Sequence, residues 1–133
     1  MLATDICSYI MKRTDESLLR KVSLIALSDL CISAIIRSEL EFGVAGSPRR
    51  EKDRLALDSF IEEVPVLDFP GGAALDYGKI RAHLKSRGTP IGANDMLFAA
   101  HARFLGLILV TNNTREFQRV PGLKIDNWSA RAG

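Results

Sequence analysis

Short apolar runs recur along this chain, each separated from the next by a longer segment with helical hydrophobic spacing. The clearest is Leu107–Thr111, an unbroken stretch of the kind that a strand buried on both faces requires. Met1–Thr4, Cys31–Ser33, Val64–Leu67 and Leu123–Asp126 are further candidate strands. Helices are expected near Ile6–Met11, over Asp15–Ala26, Ala34–Val44 and about Arg49–Glu63, from Gly72 to near Ser86, and from about Ala93 to Leu105. Ser33 can cap the third of these, Gly46-Ser47-Pro48 and Pro70-Gly71-Gly72 punctuate the chain, and Gly88 is a stop signal. Strands separated by helices pair in parallel through crossovers, so the pattern predicts an α/β fold whose sheet is covered on both faces. Sheets of that kind place their sites at the carboxyl ends of the strands. Here those places follow Leu2, follow Ser33, precede Met96 and follow Val110.

With 133 residues, 47% of them hydrophobic, the chain suits one domain spanning 1–133. No apolar run approaches the roughly 18–20 residues that a membrane helix needs. In the N-terminal stretch MLATDICSYIMKR the basic residues follow the apolar ones, the reverse of a secretory signal. A soluble cytoplasmic protein is expected. Cys7 and Cys31 are too few for a disulfide framework and lack metal-knuckle spacing, so both are read as reduced thiols. A net charge of +2 permits contact with a polyanion without requiring it. The basic residues Arg49, Arg50, Lys52 and Arg54 interleave with Glu51 and Asp53, which reads as a solvated helix face.

Acidic residues occur at or near each strand end. Glu39 has Ile35 and Ile36 one turn before it and Phe42 after it, so it lies on or beside an apolar face, where an unpaired charge is costly. It is either a site residue or an edge residue paired with an arginine. Asp95 opens the helix after Thr89-Pro90-Ile91-Gly92, where an acid also suits the helix dipole. Glu116 stands three residues after Asn113, the spacing of a capping box, which is compatible with a second role. Asp5 closes the first strand and could cap the first helix. His101, among Leu97, Phe98, Phe104 and Leu105, reads as a core-edge histidine, and His83 as an exposed one.

The chain has no glycine-rich phosphate loop beyond the weak hint of Gly71-Gly72, no G-x-S-x-G and no His-x-x-x-His pair. A nucleotide-binding regulator therefore has no support, and two histidines make RNA cleavage by paired imidazoles unattractive. Acids converging on one pocket repel one another and raise their pKa values. A hard divalent cation such as Mg²⁺ or Mn²⁺ resolves that conflict with oxygen ligands, and phosphoryl hydrolysis is the chemistry that uses it.

The segments Ile32–Gly43 (ISAIIRSELEFG), Tyr77–Arg81 (YGKIR), Gly88–Asp95 (GTPIGAND), Ala99–Ala102 (AAHA), Val110–Phe117 (VTNNTREF) and Arg119–Trp128 (RVPGLKIDNW) resemble, in order and almost end to end, the PIN-domain toxins called VapC. The resemblance implies a three-layer α/β/α sandwich around a mainly parallel sheet and Mg²⁺-dependent endoribonuclease activity, often on tRNA. It implies that Glu39, Asp95 and Glu116 are the catalytic, metal-binding acids. In the family the first acid stands in a strand-end motif Asp-Thr-Asn or Asp-Thr-Asp, which here reads Ala3-Thr4-Asp5. Ala3 thus occupies the primary ligand's place, while Asp5 matches the motif's third position. Thr4, Thr111 and Asn112 match accessory polar positions. On an extended strand Asp5 would face the same side as Ala3 but about 6.6 Å further along, too far for simple substitution.

Two functions follow. One is an RNase toxin, weakened or inactivated by Ala3, neutralised by a VapB-like antitoxin and homodimeric as the family commonly is. The other is a non-catalytic PIN scaffold that binds RNA or a partner protein. Ala3 favours the second, and retention of Glu39, Asp95 and Glu116 favours the first as the ancestral activity.

Overall fold

The computed structural model describes residues 1–130. Two parallel ladders make up its sheet. In one, β1 (Ile32–Ser33) pairs with β2 (Val66–Leu67), Ile32 opposite Val66. In the other, β3 (Ile108–Val110) pairs with β4 (Lys124–Asp126), Leu109 opposite Ile125. The first three residues join them. Leu2 donates its N–H to the Cys31 carbonyl at 2.9 Å on one side and bridges in parallel to Val110 on the other. There the Val110 N–H reaches the Met1 carbonyl at 2.8 Å, and the Ala3 N–H reaches the Val110 carbonyl at 2.9 Å. The order across the sheet is therefore β2, β1, Met1–Ala3, β3, β4.

Helices fill the crossovers: α1 (Thr4–Lys12), α2 (Glu16–Ser23), α3 (Ala34–Ala45), α4 (Arg50–Glu63), α5 (Ala73–Ser86), α6 (Ala93–Leu105) and the short α7 (Thr114–Phe117). Helices α1, α3 and α4 pack on one another, and α5 packs along α6. Leu2, Ile32 and Leu109 from the sheet, with Ile6, Ile36 and Phe98 from the helices, are fully or almost fully buried and form the centre of the core. Ser33 caps α3 by accepting the Ile35 N–H at 3.1 Å, as its sequence position suggested. The α6 helix ends on Gly106 at φ 68°, a left-handed turn that lets the Leu107 N–H close on the Ala102 carbonyl and leads directly into β3. Among the described residues no helix is long and apolar enough to cross a membrane. Cys7 and Cys31 are both free.

The structure corrects several expectations of the sequence. The chain leaves extended geometry at Ala3 (φ −74°, ψ 166°), and Thr4 and Asp5 already belong to the first turn of α1. Asp5 is thus not a strand residue aligned with Ala3, and it is not the helix cap. The helix expected over Asp15–Ala26 is shorter, because Asp15 is the cap that accepts the Leu18 N–H, and a 3₁₀ turn at Leu27–Asp29 follows the helix. Val64 closes α4 by donating to the Phe60 carbonyl, so the third strand starts only at Val66. His101 is fully buried, not at the core edge. Its Nδ1 lies 2.8 Å from Ser33 Oγ and its ring meets Phe69 edge-on.

Candidate functional site

Two strand ends and the helices α1, α3 and α6 converge on a cleft of about 180 Å³. Ala3 enters it from the end of the first extended segment, Thr4 and Asp5 from the first turn of α1, Thr111 and Asn113 from the end of β3, Glu39 from α3 and Asp95 from the first turn of α6. Phe98 and Phe117, packed at 5.4 Å between ring centroids, form its apolar floor. Glu39 is held by the Thr4 hydroxyl, which donates to Oε1 at 2.6 Å. This is why an acid sits beside an apolar helix face: its partner is a hydroxyl across the cleft, not an arginine.

Asp5 is engaged elsewhere. Oδ1 accepts the Ile6 N–H at 2.8 Å, Oδ2 accepts the Asn112 N–H at 2.9 Å, and the Thr111 hydroxyl lies 3.3 Å from Oδ2. The carboxylate ties the start of α1 to the end of β3. Burial raises its pKa, and the donated hydrogen bonds oppose that rise. Ala3 is buried and its methyl group offers no ligand.

Glu116 stands beside Asp95. The two carboxyls are near enough for Glu116 to act on Asp95, the Gly92 N–H points to Glu116 Oε1 at 3.4 Å, and the Asn113 amide donates to Oε2. The capping box expected at Asn113 does not form, since its side chain turns to the Glu116 carboxylate and makes no cap bond. Gly92 leaves room for this arrangement: a Cβ there would stand 3.0 Å from Asp95 Oδ2. Asp95 is pushed up to about 7, first by burial, then by the hydrogen bond and charge of Glu116, then by the charges of Glu39 and Asp5. All four acids thus act on one locus.

The sequence did not reveal the backbone N–H of Asn112 as the group that fixes Asp5, nor the two phenylalanines beneath the acids. Backbone donors carry no residue signature. Phe98 and Phe117 read as ordinary core.

Residues 1–123 match the PIN domain family. The chain is 40% identical to the tRNA(fMet)-specific endonuclease VapC of Shigella flexneri over 97% of each chain. The chain belongs to the VapC family of PIN-domain ribonucleases. Its fold matches that of VapBC2 from Rickettsia felis bound to a DNA fragment from their promoter, with a TM-score of 0.90 and 36% identity over 97% of this chain and 98% of that one. DNA-bound VapBC from Salmonella typhimurium gives the same TM-score, with 40% identity over 96% of each chain.

PIN-domain nucleases generally depend on a divalent metal, and the donors present suit one. Every side-chain donor lining or abutting the cleft is an oxygen, the preference of a hard cation. The elevated Asp95 shows carboxylates placed closer than their charges favour without a counter-charge. Among the described residues no three His, Cys, Asp or Glu side chains converge tightly enough to enclose an ion alone. The fit is to an ion that keeps part of its water and is held through one or two carboxylates.

Proposed function

We propose that this chain is the toxin partner of a VapB-like antitoxin, a Mg²⁺-dependent endoribonuclease fold that acts in the cytoplasm on RNA, in particular tRNA, and is weakened by Ala3. The observation that carries this reading is the cleft that gathers the carboxylates of Asp5, Glu39 and Asp95 beside the threonines Thr4 and Thr111. Asp95 and Glu116 would hold Mg²⁺, or Mn²⁺ in its place. Once bound, the ion supplies an activated water and shields charge on phosphorus. The chain's own residues set the stage. Thr4 fixes the Glu39 carboxylate, Asp5 and Thr111 lock the start of α1 to the end of β3, and Asn113 orients Glu116.

The engagement of Asp5 favours a second reading, a PIN scaffold that binds RNA or a partner without cutting. With both oxygens of Asp5 occupied, it does not stand in for the missing first acid. The experiment is RNA cleavage by this chain and by its Ala3→Asp variant, on purified tRNA with Mg²⁺, Mn²⁺ or EDTA. The nuclease reading expects weak cleavage by the first and strong cleavage by the second. Products should carry a 5′-phosphate and a free 3′-hydroxyl. EDTA-insensitive cleavage that leaves a cyclic phosphate sinks the metal mechanism. No cleavage by either protein leaves the scaffold reading standing.

A further inference from the structure

Helices α3 and α6 pack against each other, and each carries one acid of the cleft, Glu39 on α3 and Asp95 in the first turn of α6. Away from the cleft the same two helices are joined by a hydrogen bond. Ser33 Oγ, at the start of α3, lies 2.8 Å from Nδ1 of His101 in α6. The spacing is the same on both helices: Ser33 stands six residues before Glu39, and His101 six residues after Asp95. The helices therefore run antiparallel, with the bond at one end and the acids about 9 Å along at the other. The charge of Glu39 acts on Asp95, so the second end also meets.

Histidine is a costly choice at this position. His101 is fully buried, and its Nε2 is buried with no hydrogen-bond partner among the described residues. A leucine would fill similar space without stranding a polar atom. Burial lowers the pKa of the ring and keeps it neutral. What the imidazole supplies in return is its bond to Ser33, whose hydroxyl accepts the Ile35 N–H and still has a proton to offer Nδ1. Ala99, Ala100 and Ala102 around it are fully buried and small, which lets α6 lie close to its neighbours. Phe69 meets the ring edge-on at 5.6 Å between centroids and limits its movement.

We propose that His101 is a positioning residue for the acidic cleft: through Ser33 it fixes α6 against α3 and so sets the gap between Glu39 and Asp95 that a divalent ion must fit. The inference rests on the metal reading of the cleft. Glu39 is already tied to α1 by the Thr4 hydroxyl, so the placement of α6 decides where Asp95 stands relative to it. A metal site tolerates only about 0.5 Å of error in its ligands, and a helix freed at one end can exceed that at the other.

The test is Mn²⁺ binding without RNA, followed by the loss of the free-ion signal in electron paramagnetic resonance. It is run where circular dichroism shows every variant folded. The wild type is compared with His101→Leu, His101→Asn and, as a control on α2, Val22→Ala. Leu takes the orphan nitrogen away with the bond, so Tm in EDTA should stay near that of the wild type while Mn²⁺ affinity falls about tenfold, the low end for groups that orient ligands from outside. Asn offers its amide oxygen where Nδ1 stood and should restore most of the affinity. Val22→Ala should lower Tm and leave affinity unchanged. In a Ser33→Ala background His101→Leu should weaken binding no further, because the two residues act as one unit. If the wild type binds Mn²⁺ and His101→Leu binds it equally, the positioning role is wrong and the metal reading survives. If His101→Asn is as weak as His101→Leu, or if Val22→Ala also loses affinity, the bond to Ser33 is not what matters and the proposal is overturned. If neither the wild type nor Ala3→Asp binds Mn²⁺ at millimolar concentration, the metal reading and the inference fall together.

Discussion

A carboxyl group pushed up to about 7 keeps a proton that its unfolded counterpart, with the ordinary value of 3.8, has already released. For Asp95 the folded state therefore binds more protons than the unfolded state between those two values, and stability must fall as pH rises through that window. Asp5, also raised by burial, acts in the same sense. In EDTA, Tm measured by scanning fluorimetry should decline from about pH 4 to above pH 7. Asp95→Asn should flatten the decline and raise Tm at pH 7.5. Mg²⁺ should raise Tm of the wild type at that pH and leave Asp95→Asn nearly unmoved. A flat wild-type profile would refute the electrostatic account of the cleft. The Ala3→Asp change belongs beside it. One more carboxylate in the same locus should lower Tm in EDTA yet enlarge the Mg²⁺ response. If its contact is worth about 3–4 kcal/mol in the transition state, cleavage of tRNA should rise roughly 10²–10³-fold. Equal rates for the two proteins would show that some other group compensates.

Ser33 joins three elements at one hydroxyl: it ends β1, caps α3 and meets the buried His101 of α6. Ser33→Ala should cost about 1 kcal/mol for the lost cap and a further 1–3 kcal/mol for an imidazole left unsatisfied, since His101 Nε2 already lacks a partner among the described residues. Urea unfolding would measure it, and a loss under 1 kcal/mol would show that the histidine tolerates solitude. At the other end of α6, Gly106→Ala meets no steric obstacle, so its cost of about 1 kcal/mol would be backbone strain alone. Sequence reading located these elements well where punctuation was strong. Gly92 and Gly106 bracket α6, and Ser33 marks the start of α3, within a residue of what the pattern indicated. It failed where a polar side chain had two possible partners. Asp5 could cap its own helix or reach the end of β3, and Asn113 could cap α7 or hold Glu116; tertiary contacts decided both. That Glu39, Asp95 and Glu116 lie near one another was expected from strand-end placement together with the family resemblance, and the mutual effect of their charges agrees with that proximity. The pairing of Asp95 with Glu116, and the grip of Thr4 on Glu39, depend on rotamers that no periodicity encodes.

At the scale of the molecule, solved relatives of this chain are VapBC complexes, and the proposed toxin role carries a protein partner with it. Co-expression with a VapB-like protein encoded beside it should yield a complex that elutes as one peak on size exclusion. An arginine presented to Glu39, Asp95 and Glu116 is the expected plug, because a guanidinium pairs with carboxylates in a bidentate fork. Replacing that arginine should release RNase activity in the Ala3→Asp background, and recovery of the toxin alone from co-expression would count against the pairing. The topology of the sheet adds a matter of timing. Its middle position is filled by Met1–Ala3, flanked on one side by residue 31 and on the other by residue 110. Synthesis delivers residue 31 well before residue 110, so the edge of Met1–Ala3 that faces β3 stays bare in between. The cleft needs Thr111, Asn113 and Glu116 as well as Thr4. No stretch of chain that stops short of them can possess the cleft, so the site assembles only when segments more than a hundred residues apart have met.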